Sequence, residues 1–381
     1  MKSRRSNRRL AATAGLAAVL ALAACSEGVV ASSSTSPSAA AAAAAASTAT
    51  PTTAADWATY NGPNRQSLLE ACAKQEGQVS IIAGEFTDTV ITPLQKKFNQ
   101  LYPYIKVNSI RMDEPGMVTR VSQEARAGKG TIDVLDNGPE SFDTLQKADL
   151  LQSYYSPYAK DYTKDEIGPD NYYVAVRESV MAPVYNTKLL PASLVPKTWD
   201  DLLNPALKGK MVIANSDVLG QWITTMIAIM GQTAAAQYFQ KMSQQNIKVY
   251  NTSVRALVDL VGGGEAPMAI TAEAIHAEAA KAKGSPVAWA QINPLVGWTN
   301  SMARVKNAPH PCAAALWTDF MLNPAQGQAI LATVGYLPAA PSTKSQYTAI
   351  TSSPTHYNDQ LWESANATLL ENWENQYFLN K

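Results

Sequence analysis

Four polar breaks, each closing a short apolar run, hold the residues of this chain that could do chemistry. Gly84-Glu85-Phe86-Thr87-Asp88 follows Gln78–Ala83, and Asp136-Asn137-Gly138 follows Ile132–Leu135. Asn215-Ser216-Asp217 follows Lys210–Ala214 and leads through Gly220 and Gln221 into a long apolar segment. Thr271 and Glu273 stand at the end of the run from Pro267. Strand, cap cluster and helix in that order present free backbone N–H groups at the carboxyl end of a sheet, which suits the holding of a polar solute. At Asn215–Asp217 those groups fit a phosphate, phosphonate or carboxylate. Asp217 would repel an anion unless the ligand also carried an amine. Asp217 and Glu273 are therefore expected to meet an amino group, and the Ser216–Gln221 backbone an anionic one. A plain helix N-cap is the simpler reading and is compatible with both.

Bond-breaking chemistry has less to work with. No Gly-x-Ser-x-Gly elbow, His-Glu-x-x-His, Cys-x-x-Cys or P-loop occurs, and 3 histidines leave little general-base capacity. Carboxylates are plentiful, but nothing in the sequence positions a catalytic pair. No catalytic residue and no cofactor is expected. Nucleic acid is not an expected partner either, because no basic run occurs beyond the N-terminus.

The breaks need strands and helices to position them, and the hydrophobic pattern supplies both. Strands are expected at Gln78–Ala83, Tyr104–Ile110, Ile132–Leu135, Val180–Tyr185, Lys210–Ala214, Ile247–Tyr250 and Pro267–Thr271. Helical spacing lies between them, as at residues 90, 91, 94, 98 and 101. Thr198 with Asp201 forms a capping-box pair, and Thr252 or Ser253 caps a helix that ends at Gly262-Gly263-Gly264. This alternation predicts mostly parallel sheets. A chain of 381 residues is too long for one core and predicts two lobes.

The formal charge is zero, with 31 basic and 31 acidic residues, but Lys2, Arg4, Arg5, Arg8 and Arg9 all precede residue 25. Together with the apolar stretch Leu10–Ala24 they read as an export signal, too short to span a membrane. Leu22-Ala23-Ala24-Cys25 resembles a bacterial lipobox, so Cys25 is the expected lipid anchor and residues 25–55, rich in Ala, Ser, Thr and Pro, a tether. Cys72 and Cys312 remain. A disulfide and two buried free thiols are both open readings.

Three segments carry a family resemblance. The first runs Tyr185-Asn186-Thr187-Lys188, Pro196, Thr198-Trp199, Asp201-Leu202-Leu203, Pro205 and Leu207-Lys208-Gly209-Lys210. The second is Gly264-Glu265-Ala266-Pro267-Met268-Ala269-Ile270. The third runs Ala308-Pro309-His310-Pro311, Ala314-Ala315, Asn323-Pro324, Gln326-Gly327-Gln328 and Gly335-Tyr336-Leu337-Pro338. In order and spacing, from Gly77 to Pro341, they resemble the extracellular solute-binding proteins of ABC importers. That group includes ferric-iron, thiamine, polyamine and aminoethylphosphonate binders.

The resemblance implies a type II periplasmic-binding-protein fold, with two α/β lobes closing on a ligand through two or three crossing segments. It implies that the four breaks above, with Tyr336, supply the contacts, and that a membrane permease is the partner of a monomeric, lipid-anchored, extracytoplasmic protein. The expected division is 56–180 and 293–381 for the first lobe and 181–292 for the second, the C-terminal helix packing back on the first. Iron binders of this group use adjacent tyrosines after the strand equivalent to Pro267–Thr271. Here Ala272-Glu273-Ala274-Ile275-His276 stands there, so no metal site is expected and ferric iron is kept as an alternative. A solute receptor signalling to a sensor kinase is another, and a secreted hydrolase is the weakest. Trp222, Trp289 and Trp298 lie near the expected cleft and crossings, either as core or as stacking platforms.

Overall fold

The computed structural model of the protein describes residues 50–84 and 86–380, without the side chains of Asp165 and Asp217. The expected export signal, Cys25, most of the tether, Glu85 and the Asp217 carboxylate lie outside the described residues.

The first lobe begins with α1 (Ala54–Thr59), α2 (Arg65–Glu76), β1 (Gln78–Ala83), α3 (Asp88–Leu101), β2 (Lys106–Ile110) and α4 (Glu114–Arg126). It continues through β3 (Val134–Asn137), α5 (Pro139–Lys147), β4 (Leu151–Gln152) and the long strand β5 (Tyr173–Met181). The second lobe holds β6 (Val184–Asn186), β7 (Met211–Ala214), α6 (Asp217–Met230), α7 (Gln232–Met242) and β8 (Lys248–Tyr250). It also holds α8 (Val254–Gly263), β9 (Met268–Ala269), α9 (Ala274–Ala282) and β10 (Val287–Trp289). The chain returns in β11 (Leu295–Val305), α10 (Pro311–Leu322), α11 (Gly327–Thr333) and β12 (Leu337–Pro338). It ends with α12 (Thr348–Thr351), β13 (Thr355–Tyr357), α13 (Gln360–Ala365), α14 (Ala367–Glu374) and a π-helical turn at Asn375–Leu379.

The first sheet runs β12-β5-β11-β3-β1-β2, with β4 and β13 also paired to β11; the second runs β10-β6-β9-β7-β8. Only the β2-β1-β3 and β9-β7-β8 trios are parallel within those runs; β11, β5, β12, β6 and β10 enter antiparallel. The expectation of mostly parallel sheets is thus corrected to mixed ones. Of the antiparallel members, β6 and β11 arrive from the opposite lobe and run against the local βα units, while β10, β5 and β12 pair antiparallel beside them.

Helix α10 is the centre of the first lobe, buried at every position from Cys312 to Leu322. A helix buried on every side belongs inside a core, with Asp319 paired to Arg65, and each of its large apolar side chains contributes roughly 2 kcal/mol of burial. The Glu76 carboxylate, at the end of α2, accepts from the N–H groups of Cys312 and Ala313 at 3.1 and 2.7 Å. That satisfies two of the orphan donors that open α10. Cys72 and Cys312 are bridged, with Cα atoms 5.9 Å apart across 240 residues. Buried Asp133 accepts from the His310 N–H at 2.8 Å and lies 2.9 Å from its Nδ1, so His310 is a fold residue at the start of α10.

The lobes are joined three times. β5 passes to β6 at Ala182-Pro183, where Ala182 N–H donates to Ala272 O and Ala290 N–H to Pro183 O. The chain comes back between β10 and β11 through the cis Asn293–Pro294 bond. After β12 it crosses again: Ile350 joins the second-lobe cluster of Val212 and Val258, and β13 then pairs with the Leu295–Gly297 end of β11. The expected packing of the C-terminal helix on the first lobe holds for α13, which lies against α5, and is corrected for α14 and the turn after it. Leu370, Trp373, Tyr377 and Phe378 pack in the second-lobe core, where Phe239 meets Trp373 and Tyr377 at ring-centroid distances of 6.2 and 6.0 Å.

Candidate functional site

A cavity of about 540 Å³ opens between the lobes. The first lobe supplies Gly84, Arg111–Pro115, Asn137, Gly138 and Glu140; the second supplies Gln221 of α6. Trp298 and Asn300 of β11 form its back, and Gln360 of α13 closes one side.

Local sequence explains how these groups are held. The Gly84 N–H donates to Asp136 O at 3.0 Å, and a Cβ there would lie 2.5 Å from that oxygen, so only glycine lets the two loops meet. Asn137 Oδ1 accepts from the Gly138 N–H at 2.8 Å, turning the chain into α5 behind Pro139. Gln360 donates to Glu140 Oε2 at 3.2 Å and accepts from Thr299 Oγ1 at 3.2 Å. Asn358 donates to Gln221 Oε1 at 2.9 Å and accepts from Thr225 Oγ1 at 2.7 Å. The last crossing is therefore tied to both walls. Trp298 and Asn300 are 6% and 5% exposed, and the Asn300 Nδ2 amide has no hydrogen-bond partner among the described residues. A buried amide donor left unmade costs about 1–3 kcal/mol, and a ligand oxygen would recover it.

Behind Asn300, its ladder neighbour Arg177 is completely buried. The guanidinium lies 5.3 Å from the Phe86 ring centroid and 5.1 Å from that of Tyr336, and 3.8 Å from Asp136 Oδ1. Phe86, Asp136 and Tyr336, all expected at the ligand, thus surround Arg177 and are not among the residues lining the cavity. Across the crossing, Glu273 lies 3.8 Å from His276 Nε2.

Of the sequence-expected residues, Gly84, Asn137 and Gln221 line the cavity. Asn215 is exposed and donates to Asn251 Oδ1 at 3.0 Å; Ser216 stands at the N-cap of α6, but its buried Oγ makes no cap bond. Thr271 Oγ1 accepts from the Ala214 N–H at 2.9 Å, Thr87 pairs with Thr89, and Asp88 is exposed. Gly220 faces Glu374 of α14, with Oε1 3.1 Å from where a Cβ would stand. The walls at Arg111–Pro115, Glu140, Asn300 and Gln360 were not expected. Arg111–Asp113 is also a polar break at a strand end, but Lys106, Asn108 and Ser109 make that strand polar, so the rule that picked the other four passes it over.

His276 carries the clearest electrostatic signature. Burial first, then the charges of Arg255 and Arg177, push it down to about 3 from 6.5. The unfolded chain binds this proton below about pH 6.5 and the folded one does not until near 3, so stability is full above that window and falls as pH falls through it. Buried Asp133 and Asp319, whose carboxyls burial holds above the usual range, act in the opposite sense. The comparison is therefore between wild type and His276→Gln. The variant is expected to lose less stability on acidification, by up to about 1.4 kcal/mol per pH unit. Urea unfolding at about pH 7 and 4.5 checks this; equal losses in both proteins would refute it.

Two α/β lobes, three crossings and a polar cavity between them define a type II periplasmic-binding-protein fold. The chain belongs to the bacterial extracellular solute-binding protein family, which matches residues 91–356. It is similar to the periplasmic binding protein AfuA from Actinobacillus pleuropneumoniae, solved with fructose-6-phosphate, at 21% identity and TM-score 0.66, over 79% of this chain and 98% of that one. Iron-bound HitA from Pseudomonas aeruginosa is similar at 19% identity and TM-score 0.65, over 77% and 98%. The apo ferric ion-binding protein A from Pasteurella haemolytica is similar at 15% identity and TM-score 0.67, over 80% and 99%. At these identities the likeness is one of fold. No curated protein matches the chain in sequence.

Proposed function

We propose that the chain captures a small polar organic solute in the interlobe cavity, closes on it, and delivers it to a membrane permease while anchored by lipid at Cys25. The observation that carries this reading is the unpartnered Asn300 amide in a cavity built by both lobes. Its Nδ2 asks for an acceptor oxygen. Arg111 is the basic residue of the wall, against Asp113, Glu114 and Glu140, so a solute with an anionic or carbonyl group and an amino or hydroxyl group fits the charge balance. Trp298 offers an apolar platform. Ferric iron stays the alternative and has less in its favour: the segment after β9, Ala272-Glu273-Ala274-Ile275-His276, holds no tyrosine pair.

Native mass spectrometry of the freshly purified protein, with metal analysis of the same sample, tests the reading. A small organic mass released on denaturation is the expected result, and stoichiometric iron would overturn it. Asn300→Ala is expected to weaken binding of the released solute by on the order of tenfold or more, the worth of one buried hydrogen bond to a charged or polar ligand. An unchanged Kd in isothermal titration would remove Asn300 from the site.

A further inference from the structure

A second cavity, also about 540 Å³, lies on the opposite face of the crossing strands. Side chains alternate along a strand, so Thr299 looks away from Trp298 and Asn300 into this rear space, beside its ladder partner Glu178. Tyr173 and Tyr357 give it aromatic walls, and the Glu166–Pro169 segment and α13 close its ends. Glu166, Glu178 and Asp359 face it, and among the described residues no lysine, arginine or histidine lines it.

The carboxylates are not equivalent. Asp359 caps α13 through the Trp362 N–H, and Glu166 caps the turn at Thr163. Glu178 accepts from the Tyr357 hydroxyl at 2.7 Å. Burial pushes its carboxyl up, with the neighbouring Glu166 adding to the effect, so the site holds negative charge that solvent compensates poorly. The mouth is apolar: Tyr357 and Leu361, 43% and 38% exposed, are among the few large hydrophobic residues left open on the described surface. Acid at the base, rings on the walls and an apolar rim match a positively charged head on a hydrophobic body.

We propose that this rear cavity binds a small organic ammonium compound, its cation on Glu178 and its apolar body between Tyr357 and Leu361. The two cavities share Gln360 as a wall residue, but Glu178, Tyr357 and Leu361 line only the rear one.

Benzylamine, positively charged at neutral pH, is the probe, and benzyl alcohol its uncharged match. Isothermal titration of the full chain is expected to show one benzylamine site, with benzyl alcohol weaker by about tenfold or more, the worth of a charge-assisted contact. Glu178→Gln is expected to cost a similar factor. Leu361→Lys, a change at an exposed position with little risk to folding, places a competing cation at the mouth and is expected to do the same. Asn300→Ala, which alters the interlobe cavity, is expected to leave benzylamine binding unchanged, so failure of one site is told apart from failure of the other. Equal affinity for the two probes, absence of benzylamine binding, or insensitivity to both Glu178→Gln and Leu361→Lys would overturn the proposal.

Discussion

Opening the Cys72–Cys312 bridge is expected to lower the unfolding free energy more than any single change in the cleft. The bridge closes a loop of 240 residues. On the chain-entropy account, a loop of that length removes about 5 kcal/mol of freedom from the unfolded state. It also clamps the end of α2 to the start of α10, where Glu76 holds two N–H groups and Cys312 is fully buried. Urea unfolding with and without reductant, and of the Cys72→Ala, Cys312→Ala double variant, measures the effect. The reduced protein and the double variant should agree within about 1 kcal/mol, allowing for the small cavity left by the lost sulfurs. A midpoint that ignores reductant would show that the bridge is absent or idle. No residue of the interlobe cavity lies in α2 or α10, so solute affinity should survive where stability does not.

Arg177→Met is expected to be the second most damaging change. The side chain keeps its length and loses a guanidinium that lies between Phe86 and Tyr336 and 3.8 Å from buried Asp136. Removing one partner of a buried charge pair typically costs about 3–5 kcal/mol, mostly because the remaining charge is stranded. Adding Asp136→Asn to Arg177→Met should recover part of that loss, which a double-mutant cycle reads as coupling. Additive effects would mean that the two residues act separately. Arg177 also depresses His276, so the His276 resonance should titrate at higher pH in Arg177→Met.

Much of the fold was legible because strands and helices announce themselves locally. The polar breaks at Gly84 and Asn137 reach the cavity from the ends of β1 and β3. Strand direction was not legible. Whether β5 and β11 pair parallel or antiparallel depends on where the chain has come from, and no window of sequence records that. The C-terminal helices show the same limit. Their apolar faces predict burial, yet Trp373 and Tyr377 look alike to either core, and only the Phe239 cluster decides the matter.

The site itself was legible in outline more than in detail. Asn215 and Ser216 have the composition of a binding loop, and Ser216 does stand at the cap of α6. One turn further along that helix, Gln221 is the residue that meets the cavity. Asn300 is one of three consecutive polar residues, Thr299-Asn300-Ser301, inside a long strand, and its role comes from the face on which strand alternation places it. Gln360 gave no signal at all, being brought in from the chain's far end by a crossing that was expected only in number.

The path of that last crossing bears on how such a protein could be recombined. The second lobe looks like a cassette that could be lifted out between Ala182 and Ala290 and replaced by another carrying a different solute preference. It is not self-contained, because Asn358 is bonded to Gln221 and the aromatic rings of the C-terminal turns fill the space beside Phe239. A transplanted lobe would arrive with a hole in its core and a severed clasp. The unit of inheritance is discontinuous, and a working chimera has to carry the tail from Asn358 onward together with the lobe it serves.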